Sequence, residues 1–126
     1  MEVVADSHAL FWWLGGPELR KKLSRKAQRI LEEATRVYVP AVVLLELLSL
    51  FERHGEPEKF SLLLSRLAPP TYHVLPLSLA IVRRCAQLPS SLELHDRVIV
   101  ATADHVHARL VSKDRKIRTL FADVVW

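Results

Sequence analysis

Short apolar segments recur along this chain, each set apart from the next by helix-forming sequence, and that alternation limits the fold more than any other feature. The apolar segments are Val3–Ala5, Val37–Val39, Tyr72–Leu75, Arg109–Ser112 and Asp123–Trp126, the last read as an edge strand. Helices are expected over His8–Leu14, closed by Gly15, Gly16 and Pro17, and from an N-cap at Ser24 to about Glu33. Ala41–Arg53 has no internal breaker and is mostly apolar, so a long buried helix ended by Gly55 is expected there. Further helices run from Pro57 to about Leu67, from a cap at Ser78 to about Leu88, from Leu94 to His107 and over Arg115–Leu120. Strand and helix in alternation imply an α/β architecture, a parallel sheet with helices on both faces. In such sheets ligands gather at the carboxyl ends of the strands.

Composition narrows the function classes. The 126 residues suit one domain with one core, read as residues 1–126. Three glycines leave no room for a glycine-rich phosphate loop. The single cysteine, Cys85, has no internal disulfide partner and is expected inside a helix, which fits a reducing cytoplasm. No signal peptide and no membrane-spanning run is expected. The net charge is +4, with basic residues concentrated between Arg20 and Arg36 and again between Arg109 and Arg118. A surplus placed in this way attracts polyanions, although Arg20–Arg36 also reads as a solvated helix face.

Four carboxylates carry the chemistry. Asp6 follows the first strand in "VVADSHALFWWL", and Asp114 follows the fourth in "RLVSKD". Asp96 opens the apolar helix of "LELHDRVIVATA", whose Val98, Ile99, Val100 and Ala103 can pack on the sheet. Glu46 is the only charge in "VVLLELLSL", and a lone glutamate in an apolar helix must be paired, protonated or bound to a cation. Each acid has a plainer reading: Asp6, Asp96 and Asp114 as helix N-caps, and Glu46 as the partner of an arginine such as Arg97. Four carboxylates at one sheet edge would repel one another, and a divalent cation removes that penalty. Mg²⁺ or Mn²⁺ suits all-oxygen donors. Zinc suits the sequence less, since the six histidines form no HExxH pattern.

These four stretches, in this order and at these spacings, resemble the PIN-domain ribonucleases, most closely the VapC-type toxins of toxin–antitoxin pairs. The resemblance implies a PIN-like three-layer α/β/α fold around a central, mainly parallel sheet of four to five strands. It implies a metal-dependent endoribonuclease acting on single-stranded RNA. Carried over by position, Asp6, Glu46, Asp96 and Asp114 are the catalytic quartet. Asp6, Asp96 and Asp114 are the expected ligands of Mg²⁺ or Mn²⁺, directly or through water, and Glu46 the holder of a water. Ser7 and Ser112 stand where the family has a hydroxyl beside the pocket, and Asp104 is left open as a fifth acid. Lys113, Arg115 and Lys116 are expected to contact the RNA backbone. A homodimer and a small antitoxin protein are the implied partners, with no membrane. His8 and His95 are read as structural, and Trp12 and Trp13 as core or interface residues; Tyr72 is also a candidate for stacking on bases.

Three other readings compete. A PIN-like RNA-binding or RNA-processing protein without a toxin role is the nearest, and the intact quartet speaks against a non-catalytic RNA-binding module. A receiver-type phosphotransfer domain also gathers acids at strand ends, but needs its acceptor aspartate on a central strand and a later lysine. A haloacid-dehalogenase-type phosphatase wants a second aspartate two residues after the first, where this chain has His8.

Overall fold

Val3, Val4 and Ala5 are wholly buried, and the strand they form, β1 (Glu2–Ala5), lies in the middle of the sheet. The computed structural model describes residues 1–126. β1 pairs in parallel with β2 (Arg36–Pro40) on one side and with β4 (Arg109–Val111) on the other. β3 (Tyr72–Leu75) pairs outside β2, and β5 (Val124–Val125) outside β4, giving the order β3-β2-β1-β4-β5 with every pair parallel. The chain therefore builds outward from β1 in one direction and then returns to build in the other. Such a reversal opens a crevice between β1 and β4 at their carboxyl ends.

Eight helices flank the sheet: α1 (Ser7–Leu14), α2 (Pro17–Arg20), α3 (Arg25–Glu33), α4 (Ala41–Arg53), α5 (Pro57–Ser65), α6 (Leu79–Gln87), α7 (Leu94–Val106) and α8 (Arg115–Leu120). They lie on both sides of it, as expected of the three-layer α/β/α class. Caps explain several of the starts. The Ser24 and Ser78 hydroxyls accept from Ala27 N at 3.0 Å and from Ile81 N at 3.3 Å, satisfying donors that the first turn leaves free. α7 packs against β1, β2 and β4 as well as against α4 and α6. Its Ile99, Val100 and Ala101 are buried for that reason.

Three expectations needed correction. α2 was not expected, and Pro17 at its first position supplies the helical φ that starts it. α7 is capped by Glu93, whose carboxylate accepts from His95 N at 3.0 Å, so Asp96 lies inside the first turn rather than at the cap. α4 has the expected bounds but is not buried all round. Val43, Leu47 and Phe51 face inward at four-residue intervals, while Leu45 keeps 65% of its surface exposed. The helix covers only one flank of the core, and a run of leucines does not by itself say which of them turn inward.

Cys85 is buried with no disulfide partner, and burial pushes its thiol pKa up, which leaves it unreactive. No helix is long and apolar enough to cross a membrane. Leu47 is 1% exposed and sits one residue from Glu46. Leu47→Ala is expected to cost about 3 kcal/mol by opening a cavity under α4. A urea midpoint unchanged by the substitution would show that α4 does not pack as described.

Candidate functional site

The backbone places two of the acids before any side-chain chemistry is considered. Asp6 N donates to Val111 O at 3.2 Å, which ties the end of β1 to the end of β4. Asp6 Oδ1 accepts from Ala9 N at 2.9 Å and so caps α1. On the neighbouring strand Ser112 is wholly buried, its N donating to Val125 O at 3.1 Å. Its hydroxyl accepts from Asp114 N at 3.1 Å. Asp114 Oδ1 in turn accepts from Ile117 N at 2.9 Å and caps α8. Capping and facing the crevice are thus one arrangement and not alternatives. The helix N-terminus holds one carboxylate oxygen of each group still and favours its negative charge.

Asp96 reaches the same place from the first turn of α7, anchored by Ile99 below it. Glu46 reaches it from α4, between inward-facing Val43 and Leu47. All four carboxylates line one cavity of about 450 Å³, together with Ser7, His8, Trp12, Ile99 and Lys113. Ser112 lies beneath it, supporting Asp6 and Asp114. No three acidic, histidine or cysteine side chains are drawn up around one point as a ready-made cage.

The electrostatics are those of crowded acids. Burial, then the charges of Asp114, Glu93, Glu46 and Asp6, push the Asp96 carboxyl up to about 6. Burial also raises Asp6, opposed by a hydrogen bond from Ser112, the Ala9 amide and the charge of His8. Glu46 Oε1 is buried without a hydrogen-bond partner, and His95 Nδ1 stands 4.0 Å away. The arginine considered for Glu46 is absent: no ion pair joins it to Arg97, whose charge instead bears on Cys85. Ser7 Oγ is likewise buried without a partner. An all-oxygen donor set, raised carboxyl pKa values and an orphaned carboxylate oxygen fit a hard divalent cation. Such a cation keeps part of its water shell, so it does not need every acid in direct contact.

The acid left open and the expected backbone contacts fall outside or at the edge of this group. Asp104 is exposed and pairs with Arg84 at 2.8 Å on the far part of α7, outside the cavity. Of the three expected backbone-contact cations, only Lys113 lines the cavity. Lys116 donates to Ser91 O, and Arg115 borders a separate shallow cavity with Arg118. The basic run from Arg20 to Arg36 is also divided. Arg20 lies 3.9 Å over the Trp13 ring and donates to Trp13 O at 2.8 Å, while Arg36 starts β2 at the opposite end from Pro40.

The aromatic and histidine readings split in the same way. Trp13 is buried, its indole N–H donating to Tyr72 Oη at 3.0 Å, which is the expected core role and occupies Tyr72 as well. Trp12 is only half-buried and lines the acidic cavity. His8 and His95 are exposed, His8 on the acidic cavity and His95 on a neighbouring groove that shares Glu46, so neither is a core residue. His8 and Trp12, four residues apart on one flank of α1, were the signal available in the sequence for a helix edge turned toward the site.

Comparison with known proteins bears on the family and the fold. The family model described as "PIN domain" matches residues 3–121. The chain is 34% identical over 124 residues to Ribonuclease VapC22 of Mycobacterium tuberculosis, covering 93% of this chain and 90% of that protein. Among solved structures, a toxin–antitoxin complex from Klebsiella pneumoniae superposes with a TM-score of 0.73 at 20% identity, over 98% of this chain and 96% of the other. Mycobacterium tuberculosis VapC20, a toxin that cleaves the sarcin–ricin loop, superposes with a TM-score of 0.68 at 14% identity, over 93% of each chain.

Proposed function

The chain belongs to the PIN-domain family, alongside the VapC ribonucleases, and from that premise we propose that it is a metal-dependent endoribonuclease. Its substrate in this reading is single-stranded RNA, and its role is the toxin of a toxin–antitoxin pair in the cytoplasm. Residues 1–126 act as one domain, probed most simply as a whole. The observation that carries the reading is the meeting of Asp6, Glu46, Asp96 and Asp114 in one cavity at the carboxyl end of the sheet. A small antitoxin protein and a second copy of the chain are the proposed partners.

Asp6, Asp96 and Asp114 would hold Mg²⁺ or Mn²⁺, with Ser112 steadying Asp6 and Asp114 and the unpartnered Ser7 hydroxyl beside them. When bound, the cation supplies Lewis acidity, offsetting phosphate charge and lowering the pKa of the attacking water. The chain's own groups do the rest. The Glu46 carboxylate, with one oxygen lacking a partner, accepts a hydrogen bond from the attacking water and takes its proton as the water oxygen bonds to phosphorus. The bond from phosphorus to the 3′ oxygen breaks, and that oxygen is protonated from solvent. The Lys113 ammonium, at the mouth, compensates charge on the phosphate. The products carry a 5′-phosphate and a 3′-hydroxyl, and the 2′-hydroxyl takes no part.

Inducing the protein and mapping new 5′ ends in total RNA tests this. The expected result is recurrent new 5′-phosphate ends with growth arrest, the arrest being relieved by a small protein encoded beside it. Cleavage with normal growth would favour RNA processing over a toxin role. An RNA pool without new ends would refute the nuclease.

A further inference from the structure

The four carboxylates account for the floor of the cavity but not for its wall. Trp12 forms part of that wall. It stands on the flank of α1, one position short of the inward-facing Trp13 and Leu14, packed in part against the core and in part still open to solvent. An indole left partly in water beside a charged cavity forgoes hydrophobic stabilisation that the core could have provided. Its neighbours cover it only in part. His8 meets it at 5.4 Å between ring centres with planes 48° apart, and Trp126 at 5.8 Å with planes 57° apart. Both are tilted contacts, so neither ring lies flat on the indole. Two ammonium groups stand over it, Lys113 Nζ at 5.7 Å and Lys22 Nζ at 6.0 Å from the ring centre. That is the outer limit of a cation–π contact, so the ring holds neither ammonium tightly.

These parts come from four places in the chain: α1, the loop before α3, the loop after β4 and the residue after β5. They converge on Trp12, and His8, Trp12 and Lys113 share the cavity with Asp6 and Asp114. An aromatic face with exposed ammonium groups next to it matches a nucleotide, whose base stacks while its phosphates take the positive charge. We propose that Trp12 is the base-stacking platform of this site, positioning a nucleotide next to the scissile phosphate, with Lys113 and Lys22 holding that nucleotide's phosphates. The proposal rests on the ribonuclease reading and deepens it, since it names what aligns the substrate over the carboxylates. Stacking tolerates every base but is stronger for purines, so the platform also sets a preference for adenine over uracil.

The test uses the whole chain carrying Asp96→Asn, so that RNA can be bound with little cutting. Fluorescence anisotropy reads the affinity for short labelled oligo(A) and oligo(U). Adding Trp12→Ala is expected to weaken oligo(A) binding by about ten- to a hundredfold and to narrow the preference over oligo(U). Trp12→Phe is expected to stay within a few fold of the parent. Single abasic substitutions walked along the RNA give the sharper readout. One position is expected to weaken binding by the parent and to have no further effect on the Trp12→Ala protein, a coupling that loss of packing would not produce. Equal binding by the Trp12→Ala and parent proteins would overturn the platform, even if wild type cuts RNA. Equal losses at every abasic position in both proteins would also overturn it, as would a Trp12→Ala protein that loses only a co-purifying protein. Wild type that binds RNA without cutting it would sink the nuclease reading and leave the stacking measurements decisive, while failure to bind RNA at all would sink both.

Discussion

Asp96→Asn is expected to abolish RNA cleavage, lowering its rate by about a thousandfold or more, while the protein keeps its fold. Asparagine has almost the same shape as aspartate and keeps one carbonyl oxygen. What it lacks is the charge, and charge is what this position contributes. Asp96 does not cap its helix, because Glu93 does, so the substitution removes no backbone hydrogen bond. It also relieves repulsion with Asp114, Glu93, Glu46 and Asp6. Loss of activity with an unchanged or slightly higher melting temperature therefore separates a functional acid from a structural one. Asp104→Asn provides the control: this acid pairs with Arg84 at the surface and should change neither rate nor stability measurably. An Asp96→Asn protein that cleaves RNA at the wild-type rate would remove Asp96 from the metal-ligand assignment.

The second large effect is a cation-dependent gain in stability that grows with pH. In the metal-free protein the Asp96 carboxyl is raised from 3.8 to about 6. The folded state therefore keeps a proton over a pH range in which the unfolded chain has lost it. That contribution is complete below about pH 4 and is gone once the pH has risen through about 6. Asp6 is shifted in the same direction, so it adds to the same trend. A divalent cation held by these acids, as proposed, would reverse the balance, because metal ligands must be deprotonated. At a hundredfold excess over its dissociation constant it adds about 2.7 kcal/mol of stability. In a domain of this size that corresponds to a melting temperature higher by roughly 10 °C. Thermal melts with Mn²⁺ and with a chelator should diverge near pH 8 and nearly coincide near pH 5. Asp96→Asn should shrink the divergence. Curves that separate as widely at pH 5 as at pH 8 would mean that the cation binds elsewhere.

Much of the architecture was readable from local pattern. The apolar segments, the Ser24 and Ser78 caps and the proline breaks each act over a few residues, so they place elements within a residue or two. The four acids were legible for a similar reason. A carboxylate that follows a buried strand, or that interrupts an apolar helix, stands out against its immediate neighbours. Local pattern failed where a residue's environment comes from distant parts of the chain. The leucine-rich run of α4 gave no sign that Leu45 would face outward, because that depends on which flank of the sheet the helix covers. Arg115 and Lys116 sit beside Asp114 in sequence yet turn away from the cavity, since consecutive helical residues point in directions about a hundred degrees apart.

The sequence by itself determined the alternation of strand and helix and the identity of the acidic residues, because propensity, capping and side-chain charge belong to short stretches of chain. Only the tertiary structure decided that capping and lining the cavity are one role for Asp6 and Asp114, that Glu46 lacks an arginine partner, and that Trp12 faces the acids while Trp13 faces the core. Those outcomes depend on which strands lie side by side. The parallel order β3-β2-β1-β4-β5 brings the ends of β1 and β4 together across more than a hundred residues of sequence.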